Sequence, residues 1–499
     1  MRHTPRSLIL VTIDCLRADH VGFLGYPKQT TPFLDSLAKQ SFVFTNAVVS
    51  GVPTYYSLPS LLTSRYPFAL GRDVIGIAPG ENTIATVLKE RGFATAAFAA
   101  ANPYVSAAYG YDSGFDTCRD FLNANGSDFA LEGSRGSARP GTRTRANQFL
   151  SQMCHRLPLL GAAYDEVYFQ YCQRMSCSSS DSLDALRRFP SADVLIDCAT
   201  AWLHQYSSGP FFLWIHLMDP HAPYFPKLQA TAEIAADRLD GERAKYINAY
   251  WGRGDLNVVR LQKRKQDIVD LYDSGIRWAD LQIKRLVRRV AELGVLDDCA
   301  VAVTADHGEQ FLEHGGRFHS PLAVHEELVH VPLLLRVPGF SGSRDLSDPI
   351  GLIDLAPTLL DALEISTPSS FRGRSCWSHL LNNKRWEWPV ITECAFGCNN
   401  PTQVNKRSAP RLLAVRKQSY KLVVNFALGI EELFDVHSDP NEVNPLALEA
   451  AKEQRKCLLQ FAEKHICQSY KSRDLDTRLA AQLRDLRLNW TQATAARVN

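Results

Sequence analysis

Two acidic positions far apart in the chain have the surroundings of metal ligands. Asp14 follows the apolar run Leu8-Ile9-Leu10-Val11-Thr12-Ile13. Asp306, with His307 beside it, follows Ala300-Val301-Ala302-Val303-Thr304-Ala305. Short β-branched apolar runs of this kind read as buried strands of a parallel sheet. In open α/β sheets the ligand lies beyond the C-terminal ends of the strands, where Asp14, Asp306 and His307 would stand. Two carboxylates and an imidazole suit one hard or borderline divalent cation. Either Asp alone could equally be a helix cap. The pairing favours the metal.

Between them lies Gly51-Val52-Pro53-Thr54-Tyr55-Tyr56-Ser57-Leu58-Pro59-Ser60, a hydroxyl-rich loop running into a short helix. A hydroxyl there is ordinarily a cap. Beside a cation it becomes a nucleophile, because coordination lowers its pKa. The helix N-terminus would also favour an anionic ester.

The elements that must position these groups follow a βα rhythm. Thr31-Pro32 opens one helix, with Thr31 as its cap. Residues 83–92 form another that ends in a glycine, followed by the strand 94–99. Residues 122–147 interrupt with a polar Gly/Ser-rich insertion. Residues 148–205 read as mostly helical, 211–217 as a buried strand and 257–294 as charged amphipathic helix. From about residue 385 short strands and hairpins take over, at 390–392, 412–415, 421–424 and 432–435. A helix at 446–465 and a polar tail at 466–499 close the chain. The expected fold is α/β: a doubly wound, mostly parallel sheet flanked by helices over 1–380, with a smaller α+β subdomain over 381–465.

The 499 residues carry a formal net charge of +2, which argues against a nucleic-acid partner. Twelve cysteines are scattered without metal-type spacing, which favours a reducing compartment over a disulfide framework. The N-terminal apolar run is too short for a signal segment, and no stretch is long enough for a membrane span. The expectation is a soluble, cytoplasmic protein.

The motifs, in their order, resemble the sulfatase family of the alkaline-phosphatase superfamily. They are Ile13-Asp14-Cys15-Leu16-Arg17-Ala18-Asp19, Thr31-Pro32-Phe33-Leu34-Asp35, Ser60-Leu61-Leu62-Thr63-Ser64-Arg65-Tyr66-Pro67 and Met218-Asp219-Pro220-His221. Asp306-His307-Gly308-Glu309, His314-Gly315-Gly316, His330-Val331-Pro332 and Leu433-Phe434-Asp435 continue the series. The resemblance implies an alkaline-phosphatase-like catalytic domain, one divalent cation (manganese, magnesium, zinc or calcium) and attack by a metal-bound nucleophile on sulfur or phosphorus. The substrate implied is a small-molecule, glycan-linked or lipid-linked sulfate or phosphate ester.

The formylglycine sulfatases take their nucleophile from a Cys/Ser-x-Pro-Ser-Arg motif, and this chain departs from it. Ungapped alignment on residues 60–67 puts Thr54 at the nucleophile position, Ser57 at the family's Ser and Leu58 at its Arg. A rival register sets Ser57 as nucleophile but needs a three-residue deletion. Thr54 is preferred. A threonine cannot become formylglycine, and it resembles the nucleophile of phosphodiesterases and head-group transferases in the superfamily. The family's second carboxylate beside Asp14 is here Cys15, so the expected ligands are Asp14, Thr54, Asp306 and His307. By the same resemblance His221 contacts the ester oxygens or protonates the leaving group, His319 touches the transferred group and Ser57 falls on the family's Ser; Asn102, at the end of its strand, is a further candidate to bind an ester oxygen. Each has a structural alternative as a turn, cap or loop residue. His20, His216, His314, His325 and His330 read as structural. Tyr55 and Tyr56 either line a pocket or pack the loop. A non-catalytic binding protein on the same fold is the competing class, disfavoured because Asp14, Asp306 and His307 are all present.

Overall fold

The computed structural model describes residues 4–67, 75–122, 186–321, 323–394, 412–426 and 428–469, with isolated helical positions between 153 and 171. The Gly/Ser-rich insertion at 123–147 and the tail beyond 469 lie outside the described residues.

The main sheet has nine strands. In chain order they are β1 (Ser7–Ile13), β2 (Phe42–Val48), β3 (Ala94–Ala99), β4 (Thr117–Arg119), β5 (Phe211–Leu217) and β6 (Cys299–Ala305). After the small hairpin β7 (Gln310–Phe311) and β8 (Arg317–Phe318) come β9 (His330–Arg336), β10 (Arg344–Leu346) and β11 (Ile350–Gly351). The spatial order is β10-β2-β9-β6-β1-β5-β3-β4, with β11 also on β2. β1 lies at the centre, parallel to β5 on one side and β6 on the other. Among the described strands of this sheet, only β9 runs against its neighbours, β2 and β6. Every residue of β1, β5 and β6 is buried, as expected of strands covered on both faces.

Helices cover the sheet. Helix α1 (Pro32–Ala38) starts where the sequence placed it, but Thr31 does not cap it. Thr31 Oγ1 instead donates to Asp35 Oδ1 and accepts from the Gly22 amide. The free amides of Phe33 and Leu34 are taken by Asp280, 3.0 and 2.8 Å away, from the long helix Lys265–Glu292. That helix buries Ile276, Ala279, Ile283 and Leu286, the spacing of one apolar face. Helix α2 (Thr54–Thr63) is buried along its whole length. Thr54 is therefore its first residue, and the loop expected there ends at Pro53.

A second, antiparallel sheet follows, in the order β12 (Val390–Cys394), β13 (Leu412–Lys417), β14 (Tyr420–Asn425), β15 (Ile430–Asp435). It packs on helix α3 (Lys452–Ser469), which starts and ends later than the 446–465 expected. Tyr55 and Tyr56 are 7% and 3% exposed and join the core of this sheet with Leu413, Val415, Leu422 and Leu459. They pack the two layers together.

Candidate active site

The register of the central strands decides what meets beyond them. Ile13 of β1 is level with Leu217 of β5 and with Ala305 of β6. The next residues, Asp14 and Asp306, leave adjacent strands side by side. The Asp14 amide continues the ladder to the Leu217 carbonyl at 2.8 Å. The chain then turns sharply at Cys15, whose φ of 61° is a conformation few side chains tolerate. This turn aims the Cys15 amide at Asp306 Oδ1, 3.1 Å away, and sets its Sγ 3.0 Å from Asp14 Oδ1.

His307 is oriented by its own backbone. Its Nδ1–H donates to the Gly308 carbonyl at 2.8 Å, leaving Nε2 as the acceptor that faces the carboxylates. Nε2 lies 3.8 Å from Asp14 Oδ1, 3.5 Å from Asp306 Oδ2 and 3.0 Å from Thr54 Oγ1. Gly308 permits this, since a Cβ there would meet the Glu327 carbonyl at 2.0 Å. Ser57, one turn along α2, donates to the Asp306 carbonyl. Its hydroxyl fastens the helix to the end of β6, and no interaction directs it toward the carboxylates.

Three more groups close the pocket. Asn102 Nδ2 lies 3.4 Å from Asp14 Oδ2, while its Oδ1 accepts from the Tyr104 amide, so it both forms a turn and steadies Asp14. His221 donates from Nδ1 to the Ala222 carbonyl; burial pushes its pKa down, against the pull of Asp14. His319 has Nδ1 3.5 Å from Cys15 Sγ and 3.4 Å from Glu309 Oε1. Burial works against its charge, but the Glu309 carboxylate prevails and raises it to about 9. Its ring is 4.7 Å from that of His307 and 5.1 Å from that of His221.

His216 is a site residue that the sequence reading placed among the structural histidines. It is the sixth residue of β5 and fully buried. Thr12 Oγ1 holds its Nδ1 at 2.9 Å, and its Nε2 lies 3.4 Å from Asp14 Oδ2. The available signal was a titratable residue inside a strand with no exposed face. The other four histidines stay outside: His20 pairs with Asp273, His330 with the Thr45 carbonyl, and His314 with Glu327, against which His325 stacks.

The group fits a divalent cation. Asp14, Asp306 and Glu309 are all 0% exposed, which is costly for three carboxylates without positive charge nearby. The histidines hold Asp14 well below the usual carboxylate range despite its burial. Asp306 Oδ2 and His216 Nε2 are buried and have no hydrogen-bond partner. Asp14, His216 and Asp306 offer ligand atoms within 4.8 Å of one another, as do Cys15, His307 and His319. The structure thus brings together Asp14, Thr54, Asp306, His307, Asn102, His221 and His319, and adds His216, Cys15 and Glu309.

Sequence comparison agrees with this arrangement. The sulfatase family profile matches residues 6–365, well over half of the chain. The chain belongs to the sulfatase family. Residues 313–467 also match the C-terminal region described for N-sulphoglucosamine sulphohydrolase. Among curated sulfatases, bovine arylsulfatase K is 29% identical over 193 residues, which cover 37% of this chain and 34% of that protein. The chain thus spans about a third of that relative. The arylsulfatase of Clostridium perfringens is 25% identical over 495 residues, covering 92% of this chain and 94% of the relative. A solved protein in complex with its substrate D-glucosamine-2-N,6-O-disulfate shares the fold, with a TM-score of 0.67 at 18% identity, covering 95% of this chain and 99% of that one. Sulfatases generally bind a divalent metal ion.

Proposed function

We propose that this sulfatase is a metal-dependent hydrolase of sulfate or phosphate esters, with Thr54 as nucleophile. The observation that carries this reading is the Thr54 hydroxyl. It stands at the N-terminus of α2, 3.0 Å from His307 Nε2 and beside the buried carboxylates Asp14 and Asp306. Ser57 is committed to the Asp306 carbonyl, which supports Thr54 over the rival register.

A divalent cation bound by Asp14, Asp306 and His307 would polarise the ester and acidify the attacking hydroxyl. The Thr54 hydroxyl loses its proton to solvent as its oxygen bonds to the sulfur or phosphorus and the bond to the leaving alcohol breaks. His319, cationic at neutral pH, holds the charge of the transferred group or protonates the departing oxygen. His221 and Asn102 fix the remaining oxygens and the Asp14 carboxylate. Water then cleaves the Thr54 ester, restoring the hydroxyl. An acceptor alcohol in place of water gives group transfer by the same intermediate. Product analysis with added alcohols separates the two.

Phosphoesters are the favoured substrates. A threonine ester lacks the elimination route open to a formylglycine hydrate. Leu58, where the family's Arg would fall, is 0% exposed in the hydrophobic core. The test is kcat/KM on matched nitrophenyl sulfate, phosphate and phosphodiester substrates with metal supplied. A sulfate preference above about tenfold, or about 1.4 kcal/mol of transition-state binding, overturns the phosphoester preference. No turnover of any ester overturns the hydrolase reading. The eight cysteines among the described residues are all free, which supports the cytoplasm as the place of action.

A further inference from the structure

We propose that Cys15 is itself a ligand of the cation, through its thiolate, and that this sulfur biases the site toward a thiophilic ion such as zinc over calcium or magnesium. The inference rests on the metal reading above and goes beyond the four ligands expected from the sequence.

Cys15 is placed for ligation. Its side chain is fully buried, and the positive φ at this non-glycine position turns it into the pocket. Sγ is 3.0 Å from Asp14 Oδ1, which is 3.8 Å from His307 Nε2, which is 3.5 Å from Asp306 Oδ2. Donors roughly 2.0–2.3 Å from one ion are separated by distances of this order. Sγ also groups within 4.8 Å with donor atoms of Asp14 and His221, and separately with one of His307.

A second observation is independent of the sulfur. Asp306 Oδ2 and His216 Nε2 are buried with no hydrogen-bond partner. The bland reading, a thiol that donates to Asp14 Oδ1, satisfies one carboxylate oxygen and leaves these unmet. A cation held by Asp14, Asp306 and His307 would meet Asp306 Oδ2, and Cys15 Sγ, 3.0 Å from Asp14 Oδ1, lies beside that position. On binding, the S–H bond breaks, a metal–sulfur bond forms and the proton leaves to buffer. No electron is transferred. Sulfur favours zinc, whereas calcium and magnesium prefer oxygen.

The test replaces the native ion with cobalt(II) in the chelator-stripped full chain. The wild type should bind one cobalt and show an intense near-ultraviolet sulfur-to-cobalt charge-transfer band. Cys15→Ser should retain cobalt and lose that band. Competition titrations should give a zinc-over-calcium preference that falls by at least about tenfold in Cys15→Asp. Bound cobalt without the band, or a band that persists in Cys15→Ser, overturns the proposal while leaving the metal site standing. A wild type that retains no cobalt or zinc overturns the proposal and the metal reading together.

Discussion

Thr54 Oγ1 lies 3.0 Å from His307 Nε2 although 253 residues separate them, because the start of α2 abuts the end of β6. The contact orders the two hydroxyls of the helix by role. Thr54→Ala should abolish turnover and cost about 1 kcal/mol of stability through the lost contact to His307 Nε2. Ser57→Ala should retain measurable turnover and cost about 1 kcal/mol of stability through the lost bond to the Asp306 carbonyl. Steady-state kinetics and urea unfolding of both variants check this. An inactive Ser57→Ala beside an active Thr54→Ala would move the nucleophile to Ser57.

The buried carboxylates make the cation a folding ligand. Chelation should lower the melting temperature, and adding back zinc or manganese should restore it. At free metal about 100 times Kd the gain is roughly 2.7 kcal/mol. Asp306→Asn and Asp14→Asn should each reduce bound metal well below one per chain, read by elemental analysis. Full metal content in both would break the single-site argument.

The strands carrying Asp14 and Asp306 were legible because both are unbroken apolar runs, and the acid at each end stands out. Their adjacency was not, because β1 and β6 become neighbours only through a crossover nearly 300 residues long. The resemblance supplied it. His216 was read as structural because β5 is buried throughout and shows no alternation to mark which face a residue takes. α2 was read as partly loop because Pro59 and two threonines weaken its propensity. Burial of all ten residues overrides that weakness.

His319 sets the expected alkaline limb. Its pKa is about 9 in the folded chain, above the ordinary value of about 6.5, because Glu309 outweighs burial. The sign follows: the stability contributed by the protonated His319 beside Glu309 is full below about 6.5 and is lost as pH rises through about 9. kcat/KM should fall over the same upper range. Glu309→Gln should pull the limb downward, and His319→Lys should push it upward, since lysine titrates near 10.4. His319→Ala should lower kcat/KM by about 10²–10³-fold. A pH profile unmoved by Glu309→Gln would remove His319 from the charged step.

The joint between the two sheets includes a buried cluster of charges. Lys421 of β14 is 1% exposed and reaches Glu326 at 2.9 Å and Glu442 at 2.8 Å. Arg416 of β13 adds a second contact to Glu326 at 2.8 Å. Glu326 thereby lies well below its usual range, whereas burial raises Glu442 even with Lys421 beside it. Glu326 adjoins Glu327, whose carbonyl accepts the Glu309 amide at 3.0 Å, so this joint also braces the catalytic segment. Lys421→Met leaves Glu442 buried without its cationic partner and Glu326 with Arg416 and the more distant His330. The expected cost is about 3–5 kcal/mol, because an uncompensated buried carboxylate costs more than the intact pair contributes. The double variant Lys421→Met, Glu442→Gln should recover part of that loss, since the orphaned charge is gone. Urea unfolding of the three proteins measures it. A single variant within about 0.5 kcal/mol of wild type would show that Lys421 contributes no more than an ordinary surface substitution removes.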